Sequence, residues 1–460
     1  MVRAGADEPL AMRLAGWLSR LTWRTIPSED RDLASLRLLD TLGLMLGASQ
    51  SEAAVIARAR AVRGGAGSAT VVGGGAGVPA EWAAFANGII AHCLDYDDTF
   101  PDSVVHPGSI VVPVALAIGE ERGASGVEIL TAITGGYEIA ARIAHAGGRR
   151  FHERGFHASG IFAPVVAAFV ASKLMHLKIE SIAAAVGLAA SMSGGLMAFL
   201  ADGSWSKWLH IGWGNFGGIL AAQLAEQGFR GPAGALDGRH NLYDTFLGHP
   251  PADFHAITAR LGERWLGESA LFKLYPCAHV IHPYIDLALA MRADLGLEPD
   301  MARRVTCTVA PWAVPIVCEP AAEKRRPATT LQAIASLPFQ VGAALVDGRV
   351  DLDTLSESAR SRPELIAVAG RVGYIVSGDL EGFAARIEIE LVDGRRIQRE
   401  GHAAEADAER IGRKFRSLAE RVLAPNHAEA LALGASQFAE AEDAQALMAI
   451  LRTASPSIKG

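Results

Sequence analysis

The residues most able to do chemistry in this chain come in four clusters, and each joins ionisable side chains to a glycine or proline. The first is Asn87-Gly-Ile-Ile-Ala-His92-Cys-Leu-Asp95-Tyr-Asp97-Asp98-Thr99, closing on His106-Pro107-Gly108. Three carboxylates in four positions, after an apolar helical run, are unfavourable unless they are solvated, paired or used. Asp98 also suits a cap on the next helix. His106-Pro107-Gly108-Ser109 leads straight into the apolar run Ile110 to Ile118, which puts a histidine at a helix N-terminus, where an anion is favoured. The second cluster, His152-Glu-Arg154-Gly-Phe-His157-Ala-Ser159-Gly160, repeats that design before another apolar helix. A proton-transferring group beside an anion site is what chemistry next to a carboxylate requires. A lone histidine in such a place is more often structural, and two of them in matching loops favour function.

The third cluster is Gly203-Ser-Trp-Ser206-Lys207-Trp208-Leu-His210-Ile-Gly212-Trp213-Gly214-Asn215. On a helix, Lys207 and His210 share a face. Lys207 either snorkels over Trp205 and Trp208 or clamps a substrate carboxylate. The fourth is Lys273-Leu-Tyr275-Pro276-Cys277-Ala-His279-Val-Ile-His282. Cys277 reads as a buried, inert thiol rather than a nucleophile. Fourteen histidines invite a metal, yet there is no H-E-x-x-H and no tight Cys/His set, so no metal is expected. A weaker rival is a dinucleotide site. Ser68 to Val72 as a strand, Gly75-Ala-Gly77-Val-Pro-Ala80 and Asp95 fit its spacing, but no alternating strands and helices follow.

The elements that position these clusters are mostly helical. Ser28, Glu29 and Asp30 mark a helix start before Leu33, Leu36, Leu39, Leu42 and Leu44, and Ser125 opens another that runs to about His145. Ala- and Gly-rich runs at 162–174, 182–191 and 217–225 predict closely packed, deep helices. The texture changes after about Leu266. Val305 to Val309 reads as a strand, Thr330 to Val346 as helix broken near Pro338, and Ala384 to Leu391 as one arm of a hairpin turning at Asp393-Gly394. Helix resumes at Asp407. The expected architecture is mostly α. A large all-helical domain is formed by both chain ends, residues 1–267 and 405–460, around an inserted α+β lid domain over 268–404.

With 460 residues, half of them hydrophobic and 20% charged, the chain has material for a large core. A net charge of −7 leaves no nucleic-acid footprint. Four scattered cysteines without a C-x-x-C pair, no leader pattern over residues 1–13, and an apolar run at Ile161 to Ala171 too short to span a bilayer fit a cytoplasmic protein away from membranes.

Together the clusters resemble the MmgE/PrpD family, from about Leu33 to about Phe415. The resemblance rests on Ala91-His92-Cys-Leu-Asp95-Tyr-Asp97-Asp98-Thr99, His106-Pro107, Gly155-Phe-His157, Ser206-Lys207-Trp-Leu-His210-Ile-Gly212 and Tyr275-Pro276-Cys277. It implies a helical domain with a smaller α+β lid, a homodimer, no required cofactor, and a site between the domains at Asp95, Thr99, His106, His157 and Lys207. The family's activities include dehydration of 2-methylcitrate, decarboxylation of cis-aconitate and epimerisation of iminodisuccinate. Two departures disfavour decarboxylation. Ala278 stands where the decarboxylase-like members have a histidine, with His279 next to it. Ala310 to Pro320 holds Trp312 and Cys318 in place of a lid tyrosine. Trp213, bulkier than is usual there, is expected to reshape the pocket.

The expected activity is therefore a dehydratase-type lyase on a small hydroxylated di- or tricarboxylate. Asp95, His106, His157 and Lys207 are its catalytic residues, and Thr99, Lys207, His210 and His279 bind substrate. One histidine acts as base and the other, or Asp95, as acid. Asp95 holding one imidazole protonated, with a helix N-terminus keeping the other neutral, predicts a bell-shaped pH profile near neutrality. Alternatives are an epimerase or decarboxylase of a related acid, or a carboxylate-binding protein without turnover.

Overall fold

Small side chains let helices approach closely, and the first half of the chain is built on that. The computed structural model describes residues 8–249, 251, 253–380 and 382–454, and most of them are helical. Its longer helices include α1 (Ser28–Ala48), α2 (Ala80–His92), α3 (Gly108–Arg122), α4 (Gly126–Gly147), α5 (Ala158–Leu174) and α6 (Ser206–Glu226). α5 is apolar on every side and sits at the centre, buried along nearly its whole length. α6 lies against it so tightly that a Cβ at Gly214 would come within 2.3 Å of the Ala163 methyl carbon, and one at Gly218 within 2.4 Å of that of Ala167. Among the described residues no helix is long and apolar enough to cross a membrane.

Ser125 caps α4 reciprocally with Glu128, as its spacing predicts. The start of α1 differs from expectation. Pro27 occupies the cap position, so Ser28 is already helical and its hydroxyl turns to Glu29. Residues 68–79 form a loop closed by one antiparallel bridge, Ala69 to Val78, and no parallel strand adjoins it. That removes the dinucleotide reading. Of residues 1–13, where no leader is expected, 1–7 lie outside the described residues, and Leu10–Arg20 is helical.

Beyond α7 (His282–Leu295) comes one mixed sheet of β1 (Ala302–Val309), β2 (Val372–Val376), β3 (Ala384–Leu391) and β4 (Arg396–His402), ordered β2-β1-β3-β4. β1 runs parallel to β2 and antiparallel to β3. Ala385, Ile387, Ile389 and Leu391 alternate into the core, and Gly394 at φ +89° turns the β3–β4 hairpin. The expected break near Pro338 falls at Ala335 and Ser336, between helices Thr330–Ile334 and Leu337–Asp347. Ser336 caps the second by accepting from the Phe339 N–H.

α8 (Ala408–Ala419) returns to pack on α1. There the buried Lys414 Nζ lies 2.7 Å from Asp40 Oδ1, donates to the Tyr96 carbonyl at 2.9 Å and sits 4.0 Å from the Tyr96 ring centre. Burial raises the Asp40 pKa, against the pull of Lys414. Lys414→Met strands that carboxylate, and urea unfolding at pH 8 should show a loss of about 3 kcal/mol. A folded-state carboxyl pKa above its unfolded value gains stability as pH falls, so the loss should shrink by about pH 5. An equal loss at both pH values would contradict this account.

Candidate active site

The three clustered carboxylates are all buried, and each has its own partners. α2 ends at His92, and Asp95 then takes a left-handed backbone, φ +47°, which turns its side chain toward α6. Its Oδ2 lies 2.8 Å from Lys207 Nζ and its Oδ1 2.7 Å from Lys273 Nζ, which also donates to the Asp95 carbonyl at 2.7 Å. Burial alone would raise the Asp95 pKa, but the two ammonium groups hold it well below the carboxylate range. Asp97 accepts from Ser109 Oγ at 2.7 Å and pairs with His92 Nδ1 at 2.8 Å. Asp98 accepts from the Gly108 N–H at 2.8 Å, and so serves the start of α3 as its position suggests. It also accepts from the Tyr137 hydroxyl at 2.6 Å. With no cation in direct contact, burial pushes Asp98 up to about 6.

His106 is fixed by its neighbours. Its Nδ1 lies 3.0 Å from the Asp98 carbonyl and 3.1 Å from Thr99 Oγ1. A carbonyl only accepts, so Nδ1 carries the proton and Nε2 is left with its lone pair, 3.9 Å from Asp95 Oδ1. Burial, opposed by Asp97 but joined by Lys273 and Lys207, pushes the His106 pKa down to about 3. His157 precedes α5. Its Nδ1 is 3.2 Å from His210 Nδ1, and its buried Nε2 has no partner among the described residues. Burial first, then nearby His92 and Lys207, holds its pKa well below the usual value. Both imidazoles are thus neutral near pH 7. Asp95 is committed to two lysines, so it is neither a proton donor nor the group that keeps a histidine charged. The expected opposite protonation states are not what the geometry provides.

These groups line a cavity of about 660 Å3, counted to its open mouth. Asp95, Thr99, His106, His157, Lys207 and His279 are all on its wall. His210 is not. One turn beyond Lys207 on α6, its Nδ1 lies 3.2 Å from His157 Nδ1. Lys207 does not lie over its flanking indoles either. Trp205 and Trp208 stack on each other at 5.4 Å, while Lys207 is buried and aimed at Asp95. Trp213 is half exposed, stacked on Phe216 and away from the cavity, so its bulk does not shape the pocket. Cys277 is fully buried and its thiol pKa is pushed well up, as an inert cysteine requires.

Sequence reasoning gave Lys273 no role. Its signal was a lone lysine in the apolar stretch Leu271 to Cys277. His152, Trp312 and Phe383 were likewise not picked out as cavity residues, and all three line it. Asp95, Asp97 and His106 each offer an atom within 4.8 Å of the others, a spacing open to a cation. A cation there would compete with the two ammonium groups already on Asp95. The arrangement is one for binding anions, with an unprotonated imidazole nitrogen beside two buried ammonium groups.

Comparison with known proteins places the chain among similar sequences. Residues 12–255 match the MmgE/PrpD N-terminal domain, and residues 275–438 match the MmgE/PrpD C-terminal domain. The chain is 25% identical over 450 residues to cis-aconitate decarboxylase of Aspergillus terreus, covering 90% of each protein. It is 27% identical over 401 residues to the Homo sapiens cis-aconitate decarboxylase, covering 82% of this chain and 81% of that one. It is 25% identical over 399 residues to the Mus musculus protein of the same name, with 83% and 80% covered.

Proposed function

This chain belongs to the MmgE/PrpD family, and we propose that it is a dehydratase-type lyase that acts on a small hydroxylated di- or tricarboxylic acid without metal or organic cofactor. The observation that carries this reading is His106 Nε2, a bare lone pair on the cavity wall beside Lys207 and Lys273. In the proposed reaction it takes the proton next to a carboxylate. The electron pair left behind spreads onto that carboxylate, where the two ammonium groups stabilise it. The carbon–oxygen bond then breaks, a carbon–carbon double bond forms, and the abstracted proton leaves with the hydroxyl as water. His157, whose ring lies 6.4 Å from that of His106 on the same cavity wall, would hydrogen-bond the departing oxygen.

The relatives named cis-aconitate decarboxylase support a second reading, in which the same clamp holds an unsaturated tricarboxylate that loses carbon dioxide. Ala278, on the cavity wall where the decarboxylase-like members have a histidine, counts against it. One experiment separates these readings from epimerisation. Hydroxylated polycarboxylates and cis-aconitate are incubated with the protein in deuterated water, and conjugated-acid absorbance, carbon dioxide and deuterium in recovered substrate are read together. New absorbance without carbon dioxide supports elimination. Carbon dioxide release supports decarboxylation, and deuterium alone supports epimerisation. No signal with any acid leaves only binding.

Activity should survive exhaustive chelation and gel filtration without added nucleotide. Loss with EDTA and recovery with one divalent metal would overturn the cofactor-free reading. Because burial keeps His106 and His157 neutral in the free enzyme, kcat/KM should be level from about pH 5 to pH 8. It should fall at higher pH as Lys207, whose pKa burial lowers against the pull of Asp95, loses its proton. An acid limb centred near pH 6.5 would show that a histidine titrates there after all.

Residues 268–404 are proposed as a lid over a helical body, which is supported by cavity walls drawn from both parts of the chain. A homodimer is supported by Trp205, Leu209 and Trp213, four residues apart and each at least 40% exposed. Sedimentation tests it, with Trp213→Glu expected to give monomer.

A further inference from the structure

The cavity is chemically lopsided. Its only lining cations among the described residues are Lys207 and Lys273, and both converge on Asp95. From residue 311 onward the chain contributes Trp312, Ile316, Leu331, Ala335 and Phe383 to the wall, and not one charged side chain. The polar neighbour on this side, His279, lies flat on Phe383 at 4.8 Å, and burial holds its pKa well below the usual value, so it is neutral. Arg149 lies 4.1 Å from the Trp312 ring centre, but it donates to the Pro101 carbonyl and is not on the wall. An ionised carboxylate set against Trp312, Ile316, Leu331 and Phe383 would lose its hydration and gain no cation. A hydrocarbon group there gains from burial instead.

We propose that the substrate is an amphipathic acid, with a dicarboxylate head at Lys207, in the field of the buried Lys273, and a short alkyl or aryl arm against Trp312, Ile316, Leu331 and Phe383. This rests on the reading that Lys207 binds a substrate carboxylate. The apolar wall then selects among acids that share the same head. Each methylene moved from water to that wall is expected to tighten binding by roughly fourfold, until the arm outgrows the cavity.

The test is calorimetric binding of succinate and its methyl-, propyl- and pentyl-substituted homologues, which lack the hydroxyl and cannot be dehydrated. Affinity should rise from succinate to propylsuccinate by about 30-fold or more in the wild-type protein. Phe383→Ala and, separately, Leu331→Ala should flatten that rise, with thermal melting run on the same samples to confirm folding. Constant or falling affinity along the series overturns the proposal. So does a rise that a folded Phe383→Ala and a folded Leu331→Ala both leave intact, because the arm then lies elsewhere. Turnover is measured separately on hydroxylated analogues with the same arms. A binding trend without turnover supports the amphipathic acid and removes the lyase, while turnover without the trend does the reverse.

Discussion

Exchange of His106 for glutamine should lower kcat by about 100- to 10,000-fold, the usual weight of a positioned base. Glutamine keeps a neutral polar group that can still donate to the Asp98 carbonyl, as His106 Nδ1 does at 3.0 Å. It has no nitrogen lone pair able to take a proton from carbon. The backbone contact from the His106 N–H to Ser159 Oγ, 3.1 Å, is untouched, so the loop before α3 should hold its shape. The double change with His157→Gln should cost little more than the worse single one, because groups that act on one transition state are not additive. The competing account makes both histidines core residues satisfied by their neighbours. It requires a lower melting temperature with kcat per folded molecule preserved. Both quantities measured on one preparation decide between them.

Lys207→Ala should reduce kcat/KM by a factor of about 100 or more, roughly 2.7 kcal/mol of lost transition-state stabilisation. The fold should tolerate it better than the burial of Lys207 suggests, since Asp95 Oδ1 keeps Lys273 at 2.7 Å. Lys273→Ala is a useful contrast. That lysine is wholly buried and also holds the Asp95 carbonyl, so its loss should lower the melting temperature as well as the activity. A Lys207→Ala enzyme with near wild-type kcat/KM would reduce Lys207 to a structural counter-ion of Asp95.

Much of this site is legible in the sequence because its parts are local. His106 and His157 each stand a residue or two before an apolar helix, and Lys207 stands in the first turn of another. Composition and spacing report such positions directly. The hairpin at Asp393-Gly394 and the cap at Ser125 are legible for the same reason, as each is settled by residues a few places apart. For His210 helical spacing gives a face and not a partner. The partner it meets, His157, is 53 residues away.

By itself, then, the sequence determined the mostly helical architecture and the family, and it singled out Asp95, Thr99, His106, His157, Lys207 and His279, which line the cavity. Periodicity, caps and short motifs are properties of neighbours along the chain, and they need no knowledge of what packs on what. Tertiary structure alone decided which carboxylate meets which cation. Asp95 and Lys273 are 178 residues apart, and nothing in either segment announces the other. It decided the tautomer of His106, which depends on a carbonyl eight residues back being folded onto the ring. It decided that both histidines are neutral, because a pKa follows from burial and the surrounding charges, and both are set only when the core closes. It also brought Trp312 and Phe383 to the cavity wall, since an apolar residue in a sequence reads alike whether it will fill a core or face a cavity.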